Sequence, residues 1–208
     1  MSVTNVELSK NELELVINSE FILTKNRIIE KVYNLFGDLI NNHQTILNEY
    51  KNALPAEVFS VPPKIYKGEN YLGLPYVMMD YPRVFLKNDI LAVRSFFWWG
   101  NFFSLTLHVS GKFLEEYRKN ILAGLKNKDA ADLFVCIHDE QWDHHFEATN
   151  YKPLKAINVA DVLQKPFLKI AQKLSLNDWG NSSEFFESNY AALLKLLAAN
   201  FLGDETVL

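Results

Sequence analysis

The stretch Val93–Val109, VRSFFWWGNFFSLTLHV, decides the fold. Two runs of aromatic and β-branched residues flank Gly100-Asn101, the signature of a tight hairpin in which glycine supplies the positive φ. A two-residue loop sets Trp99 opposite Phe102, Trp98 opposite Phe103, Phe96 opposite Leu105 and Arg94 opposite Leu107. Directly opposite side chains share a face of a sheet, as do alternate residues along a strand. One face then carries Ala92, Arg94, Phe96, Trp98, Phe103, Leu105, Leu107 and Val109, a core set apart from Arg94. The other carries Val93, Ser95, Phe97, Trp99, Phe102, Ser104, Thr106 and His108. An aromatic rim beside hydroxyls and an imidazole is the material of a small-molecule pocket. The candidate ligand-binding set is therefore Arg94, Ser95, Phe97, Trp99, Phe102, Ser104, Thr106 and His108. Arg94 cannot shed its charge and, if buried, needs a carboxylate; Asp80, Asp89 and Glu115 are the candidates, with an anion clamp as the alternative role.

Outward from this hairpin, residues 64–110 read as a meander of about four strands, with turn signals at Lys67-Gly68-Glu69-Asn70 and Lys87-Asn88-Asp89. Pro82, within Asp80–Arg83, marks an edge or bend because it cannot donate to a ladder. Residues 4–52 have helical apolar spacing, with capping boxes at Thr4-x-x-Glu7 and Ser9-x-x-Glu12. Pro55 and Pro62-Pro63 end that region. A further helix is expected near 111–126 and a strand pattern over Asp132–Glu147. Helices over 158–202 close the chain, the first near Val159–Leu174 with Pro166 opening its second segment. The last begins at Asn181 or Ser182, turns Phe185, Phe186, Tyr190 and Phe201 inward and stops at Gly203. The expectation is one α+β domain spanning 1–208. Its antiparallel meander of five or six strands lies in 64–150 and is packed by N- and C-terminal helices.

The densest chemistry lies in Cys136–Glu147, CIHDEQWDHHFE, which holds three of five histidines and the single cysteine. A hairpin turning at Glu140-Gln141 sets His138 opposite Asp143, Ile137 opposite His144 and Cys136 opposite His145. Trp142, His144 and Phe146 then join Leu133, Val135 and Ile137 on a core face, where His144 is a hydrogen-bonded buried imidazole. His138, Asp143, His145 and Cys136 share the polar face, a donor set suited to Zn or another divalent metal. A Cys136 nucleophile needs a depressed thiol pKa, and the neighbouring carboxylates act in the opposite sense.

Composition narrows the classes. Apolar residues make 49% of the 208 and aromatics 13%, a globular balance. A net charge of −4 without a basic run removes the footprint of a nucleic-acid partner. One cysteine excludes an intrachain disulfide. The N-terminus lacks the order of a secretory signal, and no apolar run approaches the ~20 residues that span a bilayer, so a cytoplasmic location without a membrane partner is expected. No phosphate loop, dinucleotide fingerprint, kinase set or metalloprotease motif occurs. The leading expectation is a non-enzymatic module, without cofactor, that binds a small molecule or protein through the aromatic and hydroxyl face. The alternatives are a metal-dependent hydrolase using His138, His145 and Asp143, and a structural or regulatory subunit that pairs with itself through the aromatic face.

Overall fold

A computed structural model describes residues 6–126, 132–162 and 164–198. Helices α1 (Lys10–Val16), α2 (Ser19–Glu49) and α3 (Glu57–Ser60) precede strands β1 (Lys64–Tyr71), β2 (Leu74–Phe85), β3 (Ile90–Trp98) and β4 (Phe102–Ser110). Helix α4 (Gly111–Leu125), short strands β5 (Phe134–Cys136) and β6 (Tyr151–Pro153), and the single turn α5 (Val159–Val162) follow. Strand β7 (Phe167–Ser175) and helix α6 (Ser182–Leu197) complete the order. The seven strands form one antiparallel sheet in the order β1-β2-β3-β4-β7-β5-β6. This is the expected α+β class, with seven strands in place of five or six.

The N-terminal capping box is formed: Glu12 N donates to Ser9 Oγ at 3.3 Å, and Ser9 N donates to the Glu12 carboxylate at 2.7 Å. The Thr4 box, Phe201 and the Gly203 stop lie outside the described residues. Phe36, Leu39 and Leu47 of α2, Phe113 and Ile121 of α4, and Phe186 and Leu193 of α6 pack on one sheet face. They meet Val77, Met79, Leu91, Val93, Phe97, Phe103, Leu105, Leu107, Leu168 and Ile170. Burying each such side chain stabilises by about 1.5–3 kcal/mol, so this layer dominates the fold.

The central hairpin departs from the expected register by one residue. Trp98, not Trp99, pairs with Phe102, Phe97 pairs with Phe103, and Arg94 pairs with Thr106. Asn101 N donates to Trp98 O at 3.0 Å, and Gly100 has φ 71° as the third residue of that turn. Trp99 instead donates its N–H to Pro75 O, 3.0 Å away on the β2 side. The alternation within β4 is as expected, but β3 is exchanged against it. Arg94, Phe96 and Trp98 therefore share a face with Phe102, Ser104, Thr106 and His108, while Ser95, Phe97 and Trp99 turn toward the helices. A one-residue slip moves every side chain of a strand to the other face.

Two further expectations are corrected. Residues 167–175, read as helix, form β7, paired over its full length with β4 from Phe102↔Ser175 to Ser110↔Phe167. Leu168, Ile170 and Leu174 alternate with Lys169, Ala171 and Lys173, a period of two that helical spacing also accommodates over so short a run. Strand pairing wins because it satisfies the row of backbone groups along the outer side of β4. The 132–147 hairpin is also absent as read. Strand β5 stops at Cys136 and pairs with β6, Cys136 opposite Tyr151, so residues 137–150 leave the sheet. They fold back across the second sheet face. Trp142, assigned to a core face, is 46% exposed.

Candidate functional site

Beneath segment 137–150, the second sheet face carries buried charge. Asp80 and Arg94 are opposite residues of β2 and β3 and form a two-point pair, Nε to Oδ1 at 2.7 Å and Nη2 to Oδ2 at 2.9 Å. Tyr66 adds its hydroxyl to Asp80 Oδ2 at 3.0 Å. Arg94 Nη1 donates to His144 Nε2 at 3.0 Å. Since guanidinium only donates, His144 offers a lone pair there and is neutral. Burial, followed by the Arg94 and Lys169 charges, holds its pKa well below the ordinary value.

His108, on β4, lies opposite Lys169 of β7. Burial pushes the His108 pKa down to about 3, with Lys169 and Arg94 acting in the same sense. Its Nε2 is 3.1 Å from Gln141 Oε1, a donor–acceptor contact from sheet to roof. Lys169 is 1% exposed and donates to the Asp143 carbonyl. Its ammonium stands 5.3 Å from the Tyr151 ring centroid. Burial pushes its pKa down to about 8. The enclosed layer thus sets two cations, Arg94 and Lys169, against one buried carboxylate, Asp80.

The roof is fastened by backbone contacts. His144 N and His145 N both donate to Tyr71 Oη, at 2.6 and 3.0 Å. Asn150 Nδ2 donates to His145 O at 2.6 Å, and Cys136 Sγ donates to Asn150 Oδ1 at 3.3 Å. Lys165 Nζ reaches Ile137 O, His138 O at 3.0 Å and Asp139 Oδ1 at 2.7 Å. Beside the roof opens a cleft of about 490 Å³, within the range of small-molecule sites, whose wall includes Phe85, Asn88, Ser110, Gln141, Trp142 and Phe167. Trp142 and Gln141 separate it from His108, whose ring centroid is 5.6 Å from that of Trp142. A second hollow of equal size is lined by Asp132, Phe134, Lys155, Gln172, Lys173 and Asn189.

The expected ligand-binding residues divide between the two faces. Arg94, Phe102, Ser104, Thr106 and His108 come together on the polar face, all but Arg94 and Phe102 being buried. Ser95, Phe97 and Trp99 do not join them. Phe97 is packed 5.3 Å from Phe103 and 5.9 Å from Trp179 on the helix side. Of the expected metal ligands, Asp143 Oδ2 lies 3.5 Å from His138 Nδ1 and 3.9 Å from His145 Nε2. Cys136 is buried below them and turned to Asn150, and burial pushes its thiol pKa up. Among the described residues, no group of three or more His, Cys, Asp or Glu is arranged to hold a metal ion. Lys169, Tyr71 and Tyr151 were absent from the expected set. The alternation of Phe167–Ser175 is the signal that finds Lys169, once the segment is taken as strand. No protein-family model matches the chain, and no curated protein or solved structure is significantly similar to it.

Proposed function

We propose that the chain is a non-enzymatic binding module for a small anionic molecule, a carboxylate or phosphate. The ligand enters by the Trp142 cleft and places its charge against Lys169, Arg94 and His108. The single observation that carries this is Lys169: an enclosed ammonium that meets a carbonyl and a ring face and, among the described residues, has no carboxylate within ion-pair distance. A buried charge lacking an ionic partner costs several kcal/mol, and replacing such a group with an apolar one is often neutral or stabilising. Groups that reduce stability in this way concentrate at functional sites. Four residues of the expected aromatic and hydroxyl face, Phe102, Ser104, Thr106 and His108, lie on this layer together with Arg94, and Ser110 at its end also lines the cleft.

The test is thermal unfolding and calorimetric titration of wild type and Lys169→Met with sodium phosphate, pyrophosphate and succinate, against sodium chloride at matched ionic strength. Lys169→Met is expected to melt no lower than wild type without ligand. At least one anion is expected to raise the wild-type Tm, a hundredfold excess over Kd being worth about 2.7 kcal/mol, and to leave the variant unmoved. Affinity is expected to fall as pH rises above about 8, where Lys169 loses its proton. Equal responses of the two proteins, no response of wild type beyond the chloride control, or a sharply destabilised Lys169→Met would overturn the proposal and leave Lys169 a structural strut.

A further inference from the structure

Among the described residues, exposed apolar side chains concentrate at the N-terminal helices. Of thirteen large hydrophobic residues exposed among those described, nine fall between residues 6 and 23, each at least 46% exposed. Val16 and Ile17 reach 68% and 73%. Helix α1 buries none of its seven residues, and the first buried residue of α2 is Ile29. Residues 19–23 of α2 are all exposed, about 7 Å of helix, before Thr24 and Lys25 become partly buried and Lys25 pairs with Glu69 of β1. The overhang is not polar, as a solvated helix would be. Ile22, Ile29, Phe36 and His43 recur at seven-residue intervals, so the stripe that packs on the sheet continues past it to Ile22. A seven-residue helix stabilised by a capping box and one Lys10–Glu14 pair is marginal by itself and gains most from a packing partner.

We infer that residues 6–23 form the interface of a homodimer, each chain covering the N-terminal helices of a second copy. The exposed fractions of these nine residues correspond to on the order of 900 Å² per chain, spread around α1 and the first turns of α2. One side of a standard protein–protein interface buries ~800 Å², an area a second copy reaches by enclosing both helices. A two-fold contact brings the same patch of each copy together, and an apolar surface is complementary to itself. The charges disfavour a lipid surface: Glu7, Glu12, Glu14 and Glu20 stand against Lys10 alone in this stretch, whereas peripheral membrane helices attract anionic headgroups with clustered lysine and arginine. This relocates the self-association expected of the aromatic hairpin, whose aromatics are enclosed within one chain. It is independent of the anion site.

Sedimentation equilibrium of the untagged full chain at about 50 μM tests it. The expected mass is about 48 kDa, twice the 24.0 kDa of one chain. Ile17→Glu/Ile22→Glu, and separately Val16→Lys/Phe21→Lys, are each expected to return the chain to monomer with at least a hundredfold weaker self-association. Unchanged far-UV circular dichroism of the remaining helices would show that the variants stay folded, and Lys169→Met is expected to leave the dimer intact. A monomeric wild type, a dimer that survives both double substitutions, or a monomer that co-sediments with phosphatidylcholine vesicles would overturn the inference.

Discussion

A histidine enclosed by apolar side chains must stay uncharged, and His43 is such a residue. It is 0% exposed on α2, and its ring stacks on that of Tyr190 with centroids 3.8 Å apart and planes 3° from parallel. No well-formed hydrogen bond reaches either ring nitrogen. The Phe186 backbone offsets only a little of the burial that pushes the pKa down to about 3. The unfolded chain takes up this proton near pH 6.5 and the folded chain only near 3, so acid favours unfolding across that window. Each such histidine removes about 1.4 kcal/mol of stability per pH unit as pH falls through it. His43→Phe keeps the stacked ring and removes the titration. Urea unfolding is expected to show the variant gaining on wild type by about 1 kcal/mol per unit between pH 6.5 and 4.5. The difference is expected to be constant above pH 7; parallel profiles throughout would mean that His43 accepts its proton in the folded state. At this scale much was legible. Arg94 cannot lose its charge, so a carboxylate on a neighbouring strand was required, and Asp80 supplies it. Lys169 was not legible, because its burial depends on which element carries it.

Elements reveal why some boundaries read cleanly and others did not. The meander β1–β4 and helix α4 have patterns that only one secondary structure satisfies. Phe167–Ser175 satisfies two, and the choice falls to the unpaired side of β4, which no local reading contains. The hairpin register depended on whether Gly100 opens a two-residue loop or stands third in a turn from Trp98 to Asn101; positive φ suits both. The junction from β4 into α4 is more tightly determined. Gly111 has φ 55°, and a Cβ there would fall on the Asp89 carboxylate and within 2.6 Å of Asn88 O. Asp89 Oδ1 accepts from Lys112 N at 2.9 Å, and Ser110 Oγ donates to Asn88 O at 2.8 Å, so the β2–β3 turn caps the helix. Gly111→Ala combines a left-handed backbone with a lost cap, and an expected cost of about 2–4 kcal/mol follows. Asp89→Ala alone is expected to cost ~1 kcal/mol. Because both act on the same contact, the double variant should lose less than the two together, measurable as a coupling in denaturant midpoints.

Across the whole molecule, the sheet has two unlike covers. Helices close one face with apolar packing, which is non-directional and tolerates breathing. Segment 137–150 closes the other with hydrogen bonds to named groups, and these fail one at a time. This difference explains why the fold class was legible while the candidate site was not: amphipathic periodicity announces a helix, but nothing in CIHDEQWDHHFE announces that the backbone of His144 and His145 will bond to Tyr71, 73 and 74 residues earlier in the chain. Segments fastened by few bonds open below the global unfolding free energy, and ligand-gating elements are drawn from them. Tyr71 Oη is the acceptor for both His144 N and His145 N, while its ring packs 5.5 Å from the His144 ring. Tyr71→Phe retains the ring and leaves two part-buried N–H groups without their acceptor, a cost of about 1–3 kcal/mol each when no replacement forms. Hydrogen exchange monitored by mass spectrometry is expected to speed up at least tenfold over 143–150, as a local loss of about 1.4 kcal/mol implies. Peptides from β4 and from the buried half of α6 should keep their wild-type rates, because their bonds do not pass through the roof. A uniform acceleration that included α6 would mean that the roof and the helical layer open as one unit, and an anion could then reach Lys169 only through global unfolding.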